Sequence, residues 1–227
     1  MSWAAQPALR RVQAEFGDQV RITYAMGGLA REIGDPLAHL RRWLDVAAES
    51  WMPVDGRVWL DAPPRSTYPA CLAVKAAAEQ GLDGPYLRAA REAVAVRRRR
   101  IDNADALVAL AGEVPGMDVE RFGIDVRSNA IVEALGADLE TARAGEWPRF
   151  EVDGEPAGDL RAAVLAAGAR PGALPSVEEV LRRLGPNLAT PEVAEACDLP
   201  GPRAPAELWR LALEWRARHD GFLWSPA

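Results

Sequence analysis

Two short stretches with the alternation of a β-strand lie far apart in this 227-residue chain, and nearly everything between them reads as helix. The first is VRITYAM, in which Val20, Ile22, Tyr24 and Met26 fall on one side. The second is RFEVDGE, in which Phe150 and Val152 alternate with charges. There Asp153 and Gly154 supply the residues of a tight hairpin turn, with a second very short strand to follow. Sheet material on both sides of a long helical stretch predicts an α/β core interrupted by a helical lid or subdomain.

The flanking segments fit that frame. In QPALRRVQAEF, Pro7 suits a first helical turn, Ala8, Leu9, Val12 and Phe16 form an apolar stripe, and Gly17 can stop the helix. The opening is thus a helix followed by a strand that ends at Gly27 and Gly28, and a start this abrupt is expected to have a segment in front of it. Residues 36–51 read as a helix with a tryptophan-bearing face, whereas MPVDGRVWLDAPPRSTYP is irregular by its proline and glycine content. Ser66 or Thr67 then caps a helix that starts near Tyr68 and Pro69 and runs to Gly81. Further short helices in GPYLRAAREAVAVRRRR, NADALVALAGEV, MDVERFGIDVRS and NAIVEALGADLETARA make a block at about 66–135 too large for a single crossover. DLRAAVLAAGA is one more helix after the hairpin.

A distinct section begins after RPGALP. SVEEVLRRLG, TPEVAEACDLP and PAELWRLALEWRARHDG read as three helices, with a short strand at Phe222 to Trp224. Ser176 with Glu179 has the form of a capping box, and the TPEVA start with a long third helix resembles a winged-helix module. The predicted organisation is a domain over residues 1–170 and a small helical, winged-helix-like module over 171–227.

Composition sets the function classes. Hydrophobic residues at 49% and charged residues at 26% suit a chain that buries a core. A net charge of −6 argues against a general polyanion-binding surface. Cys71 and Cys197 are the two cysteines, too far apart for a CxxC pair or a close metal cluster, so no metal or cofactor is expected. No apolar run reaches the length of a membrane span, and the first residues lack a basic leader and an apolar core, so a cytoplasmic location is the default expectation.

Taken in order, these segments resemble the DsbA-like branch of the thioredoxin superfamily, in particular its cytoplasmic FrnE-like members and, more distantly, the 2-hydroxychromene-2-carboxylate isomerases. WAAQPALRRVQAEFG is similar to that family's active-site helix, ITYAMGG to the end of the following strand, STYPACLAVKAAAEQG with RRRRIDNADALVALA to its helical insertion, and LGADLETARAGEWPRFEVDGE to its second half. The resemblance covers roughly residues 1–170. It implies an α/β, thioredoxin-like fold and thiol-disulfide exchange on a thiol-containing protein or small-molecule substrate.

Carried over residue by residue, Ser2 falls on the second position of the family's C-x-x-C/S motif and Trp3 on the aromatic that follows. The attacking cysteine would lie two positions before Met1, so it and its strand are expected outside these residues. Pro148, after Trp147, falls on the family's cis-proline loop, which holds an extended substrate through backbone groups. Arg149 puts a charge beside it where small or apolar residues are usual. The resemblance therefore implies a groove lined by Trp3, Met26, Trp59, Trp147, Pro148 and Arg149, with Ser2 as the catalytic remnant. Without the first cysteine, the alternatives are a non-enzymatic binding or adaptor protein and a glutathione-dependent isomerase-like enzyme.

The other reactive side chains have plainer readings. Cys71 stands in the first turn of its helix, where N–H groups stabilise a thiolate, yet its neighbours Ala70 and Val74 make it a packing residue first and a reactive thiol second. Cys197, near a helix end, is a packing residue. The run Arg97 to Arg100 is expected to be a solvated helix end that offsets the helix dipole, with an anionic ligand as the alternative. The eight tryptophans are read mostly as packing groups. From Pro171 onward, Arg182, Arg183, Arg203, Arg210, Arg216 and Arg218 face eight acidic residues on an apolar background. The tail is accordingly read as packing or dimerising, and nucleic acid is not the expected partner. A homodimer, through this tail or through the sheet position that the preceding strand would fill, is a further expectation.

Overall fold

The computed structural model describes residues 2–28, 30–143 and 148–227. Helix α1 (Gln6–Phe16) carries Pro7 in its first turn and stops at Gly17, whose φ of 54° is easy only for glycine. A 3-10 turn over Gly17–Gln19 leads into the segment read as the first strand. Its alternation is realised: Val20, Ile22 and Tyr24 are half-buried and Met26 is buried, while Arg21, Thr23 and Ala25 are exposed. The segment is extended, but no ladder joins it to another strand among the described residues. Alternating side chains set a strand's faces, whereas pairing needs a neighbour. The Met26 N–H instead donates to the Asp138 carboxylate at 2.8 Å.

Helix α2 (Pro36–Ser50) is where the periodicity put it, and a short α3 (Val58–Asp61) interrupts the segment read as irregular. The helical block follows as α4 (Tyr68–Ala78), α5 (Asp83–Ala95), α6 (Ala104–Ala111), α7 (Val119–Asp125) and α8 (Asn129–Ala142). Side-chain oxygens of Asn103, Asp118 and Ser128 accept from the N–H groups of Ala106, Arg121 and Ile131, which fixes where the last three begin. At α4, Ser66 accepts from the Tyr68 N–H, while Thr67 bonds back to Ala30.

Strands β1 (Phe150–Val152) and β2 (Glu155–Ala157) form the expected hairpin, with Asp153 and Gly154 at φ of 51° and 87°. Two positive φ values are what a type I′ turn demands. Then come α9 (Leu160–Ala166), α10 (Val177–Arg183), α11 (Thr190–Cys197) and α12 (Arg203–Leu213). Ser176 caps α10 through the Glu179 N–H, and the Glu192 carboxylate accepts from the Ala189 N–H before α11. A second hairpin, β3 (Ala217–His219) with β4 (Trp224–Pro226), closes the chain. Helix α12 is shorter than its pattern suggested, because Trp215 adopts a φ of 57° that ends it before β3. The last strand is displaced by two residues from Phe222 and pairs with a strand that the charged RARH stretch did not reveal. Leu188 and Trp224 exchange N–H···O bonds of 2.8 Å, so the tail runs helix, bridge strand, two helices, hairpin, the order of a winged helix.

Contacts divide the chain into two compact units. The first contains residues 1–22, 46–53 and 147–227. There Val12 and Phe16 of α1 pack with Val164 of α9, while Ala14 joins Val180, Leu181, Val193, Leu208 and Trp224 of the tail. Helix α1 is thus shared by two cores. The second unit contains residues 23–45 and 54–146. Its core is built from α4 to α8 and includes Tyr86, Leu107, Leu110, Phe122, Ile131, Leu135 and Met26. The architecture is α/β: a thioredoxin-like core with very little sheet, elaborated by helices.

Candidate functional site

In the first unit, Ser2 is half-buried in the turn that enters α1, and Trp3 is sealed at 1% exposure. The Trp3 indole N–H donates to the Pro53 carbonyl at 2.9 Å. An aromatic held this way is an internal strut. Pro148 is exposed, and Arg149 pairs with Glu151 at 2.7 Å. Trp147 lies outside the described residues.

In the second unit, Met26 and Trp59 are both buried, Met26 against the α4 to α8 core. Trp59 stacks on His39 at 5.1 Å and meets the edge of Trp43 at the same distance. The tight turn at Gly56 permits this packing, since a Cβ there would come within 2.5 Å of Leu40. The indole nitrogen of Trp59 is buried without an acceptor. Burial, and Arg42 behind it, hold the His39 pKa below its ordinary value, against the pull of Asp35. This cluster was not assembled from the sequence, which marked only a tryptophan-bearing face on α2.

The thiols decide the chemistry. Burial raises the Cys71 pKa to about 11, with Asp138 adding to the rise and a hydrogen bond from the Gly28 backbone opposing it. The α4 N-terminus that favoured a thiolate is thus overcome by desolvation. Burial likewise raises Cys197 to about 11, with Arg11 opposing and Glu179 assisting. Both are free thiols. At neutral pH each is almost wholly protonated, and the protonated form is a poor nucleophile. Among the described residues no group of three His, Cys, Asp or Glu side chains could hold a metal ion.

The arginine run lies past the end of α5 and is neither a solvated helix end nor an open anion site. Arg98, at a φ of 54°, and Arg57 both reach the buried Asp55, Arg99 pairs with Glu113 at 2.7 Å, and Arg100 pairs with Asp102 at 2.6 Å. Arg97 is engaged as well. Large apolar side chains are exposed at several places, among them Trp51 and, grouped at the end of α12, Trp209, Leu213 and Trp215.

Residues 1–151 match the model of the family described as thioredoxin. The chain belongs to the thioredoxin family. This thioredoxin-family chain is 32% identical over 155 residues to the ClpXP adapter protein SpxH of Halalkalibacterium halodurans, an alignment covering 62% of this chain and 50% of that one. It is 29% identical, over an alignment of 247 positions, to SpxH of Shouchella clausii, covering 93% of this chain and 78% of the relative. The chain spans about half the length of the first of these relatives. The cytosolic disulfide reductase DsbM from Pseudomonas aeruginosa shares the fold, with a TM-score of 0.56 over 69% of this chain and 82% of its own at 20% identity. No helix among the described residues is long and apolar enough to cross a membrane.

Proposed function

We propose that this chain is a non-catalytic adapter in which a thioredoxin fold presents a protein-binding surface, and that its partner is ClpXP or a protein delivered to ClpXP. The observation that carries the reading is the similarity to relatives named as ClpXP adapters, 32% identical over 155 residues in one case, and the unpaired Cys71 and Cys197, both raised to about 11 by burial, agree with it. Thiol-disulfide exchange starts with a thiolate, and neither residue supplies one at neutral pH.

On this reading Ser2, Pro148 and Arg149 stand as family positions carried over by resemblance, while Trp3, Met26 and Trp59 are buried packing groups and offer no groove surface. The partner is a protein, with neither a thiol substrate nor nucleic acid required, and the setting is the cytoplasm. The oxidoreductase and the glutathione-dependent isomerase would both need an activated group beside Ser2 and Pro148.

The test pairs binding with turnover. The purified chain on a biosensor surface is expected to bind ClpXP of its own source organism saturably, with Cys71→Ala/Cys197→Ala binding equally. Insulin reduction by dithiothreitol should proceed at its uncatalysed rate in its presence. Absence of binding, or turnover comparable to a thioredoxin control, overturns the proposal.

A further inference from the structure

The exposed face of α12 carries a charge pattern that reads the same in both directions. Arg203, Glu207, Arg210 and Glu214 stand at spacings of four, three and four residues, one ridge of a helix with alternating sign. Beside that ridge lie Ala206, Trp209 and Leu213, all exposed, with Leu213 at 81% and Trp209 at 53%. The opposite side of the helix is the buried one, through Ala204 and Leu208.

We infer that α12 is a self-docking helix, pairing antiparallel with α12 of a second copy of this chain about a two-fold axis level with Leu208 and Trp209. Antiparallel pairing about that axis sets Arg203 opposite Glu214 of the other copy, and Glu207 opposite its Arg210. Each of these contacts occurs twice, as an isologous interface requires. The small side chain of Ala206 then falls level with the gap between Trp209 and Leu213 across the axis, so the large groups have room to interlock. A parallel pairing in register, or an antiparallel one shifted by a single turn, would bring like charges together.

The occupant follows from charge and shape. A nucleic-acid backbone would meet the carboxylates of Glu207 and Glu214 on the face that a winged helix uses for reading, which is repulsive. A second copy instead meets its own complement. Within one chain Glu207 pairs with Arg210 at 2.6 Å on the surface, and an exposed pair of this kind gives up its partner at little cost. Glu214 likewise pairs within the chain with Arg216 at 3.1 Å, again between exposed side chains. Trp209 is pre-set for docking: its ring lies edge-on to Trp224 at 5.0 Å and near His219 at 5.7 Å, which fixes its rotamer before contact. Trp215, 88% exposed, is held out beside the patch by its left-handed φ of 57°, a conformation that bulky residues avoid. Exposed tryptophans next to a helix ridge are the residue type that dominates interface energies.

The experiment is a charge exchange on the full chain, read by light scattering after size exclusion. The wild type is expected to elute as a dimer, with twice the 24.6 kDa chain mass. Glu207→Arg and Arg210→Glu, each alone, place like charges opposite each other at two points and should weaken association at least about tenfold, giving monomers. Mixing the two variants should restore the dimer as a heterodimer, because each then supplies the charge that the other lacks. Arg210 is exposed and Glu207 half-buried, and circular dichroism checks that the fold is kept. A monomeric wild type throughout a concentration series, or single variants that remain dimeric, overturns the inference. So does a mixture that stays monomeric.

Discussion

The guanidinium of Arg161 grips the carboxylate of Glu15 with two bonds, of 2.7 and 2.6 Å, tying α9 to α1. Arg11, one turn earlier on α1, donates to the same carboxylate at 2.8 Å. Glu15 is buried, and these bonds, Arg161 first and Arg11 next, hold its pKa at about 2. Because the folded pKa lies below the unfolded one, the unfolded chain takes up the proton first as pH falls. The contribution to stability is therefore complete above about pH 4.5 and is lost as pH falls from there towards 2. Glu15→Ala should cost roughly 2 kcal/mol at pH 7, since it removes a buried carboxylate held by three charged bonds, although Arg11 keeps Asp198 and the Glu195 carbonyl and Arg161 is open to solvent. In urea melts the gap between the variant and the wild type should close as pH falls through that window. A gap that is constant with pH would separate Glu15 from the acid limb.

A second prediction concerns the thiols. With the pKa values of Cys71 and Cys197 near 11, against an ordinary value of 9.0, the thiolate fraction at pH 8 is lower by roughly 100-fold. Iodoacetamide should therefore modify the native chain roughly 100-fold more slowly than the urea-unfolded chain at both positions. Mass spectrometry of peptides after timed quenching reads each site separately. Rapid native labelling of Cys71 would restore it as a reactive thiol.

Gly28 offers a third. Its φ is 51°, and a Cβ there would stand 2.5 Å from the Leu139 side chain and 3.2 Å from the Tyr68 ring. Strain and overlap add, so Gly28→Ala should destabilise by about 2 kcal/mol or more. Thermal unfolding followed by circular dichroism is the measurement. Gly154→Ala, at φ 87° but with nothing near its Cβ, should cost less.

What could be read from the chain follows from the range of the forces. The Asp153 and Gly154 hairpin, the stop at Gly17 and the Ser176 cap were legible because each depends on a few adjacent residues and on backbone sterics. The strand at Val20 to Met26 was legible as a pattern of faces but not as a ladder, since pairing depends on residues far away in sequence. Helix α3 was hidden inside a run rich in proline and glycine, where four residues carry too little periodicity to register. At the candidate site, sequence reasoning read Cys71 as a packing residue first, which its half-buried place against the α4 to α8 core fits, but it did not find that Trp3 is sealed. Desolvation is a tertiary property, and its size at Cys71 outweighs the helix terminus. The ion pairs of Arg98 and Arg99 were likewise invisible, as Asp55 and Glu113 are distant in the chain.

Those pairs give the last prediction. Asp55 is buried, and Arg57 holds its pKa below the usual carboxylate range through a side-chain bond of 2.8 Å, with Arg98 assisting from 3.5 Å. Either arginine alone still leaves the carboxylate with a cation, and both are largely exposed. Arg98→Ala and Arg57→Ala, each alone, should thus cost little, with Arg57→Ala the larger of the two. Removing both leaves a buried carboxylate without a counter-charge, so the double variant should lose clearly more than the sum, by about 1 kcal/mol of coupling. The sign of the coupling is what matters, because two independent surface pairs would add. A double-mutant cycle in urea reads it directly, and strict additivity would show that the backbone, including the Asp55 N–H that donates to the Ala95 carbonyl at 2.7 Å, fixes this corner without the arginines.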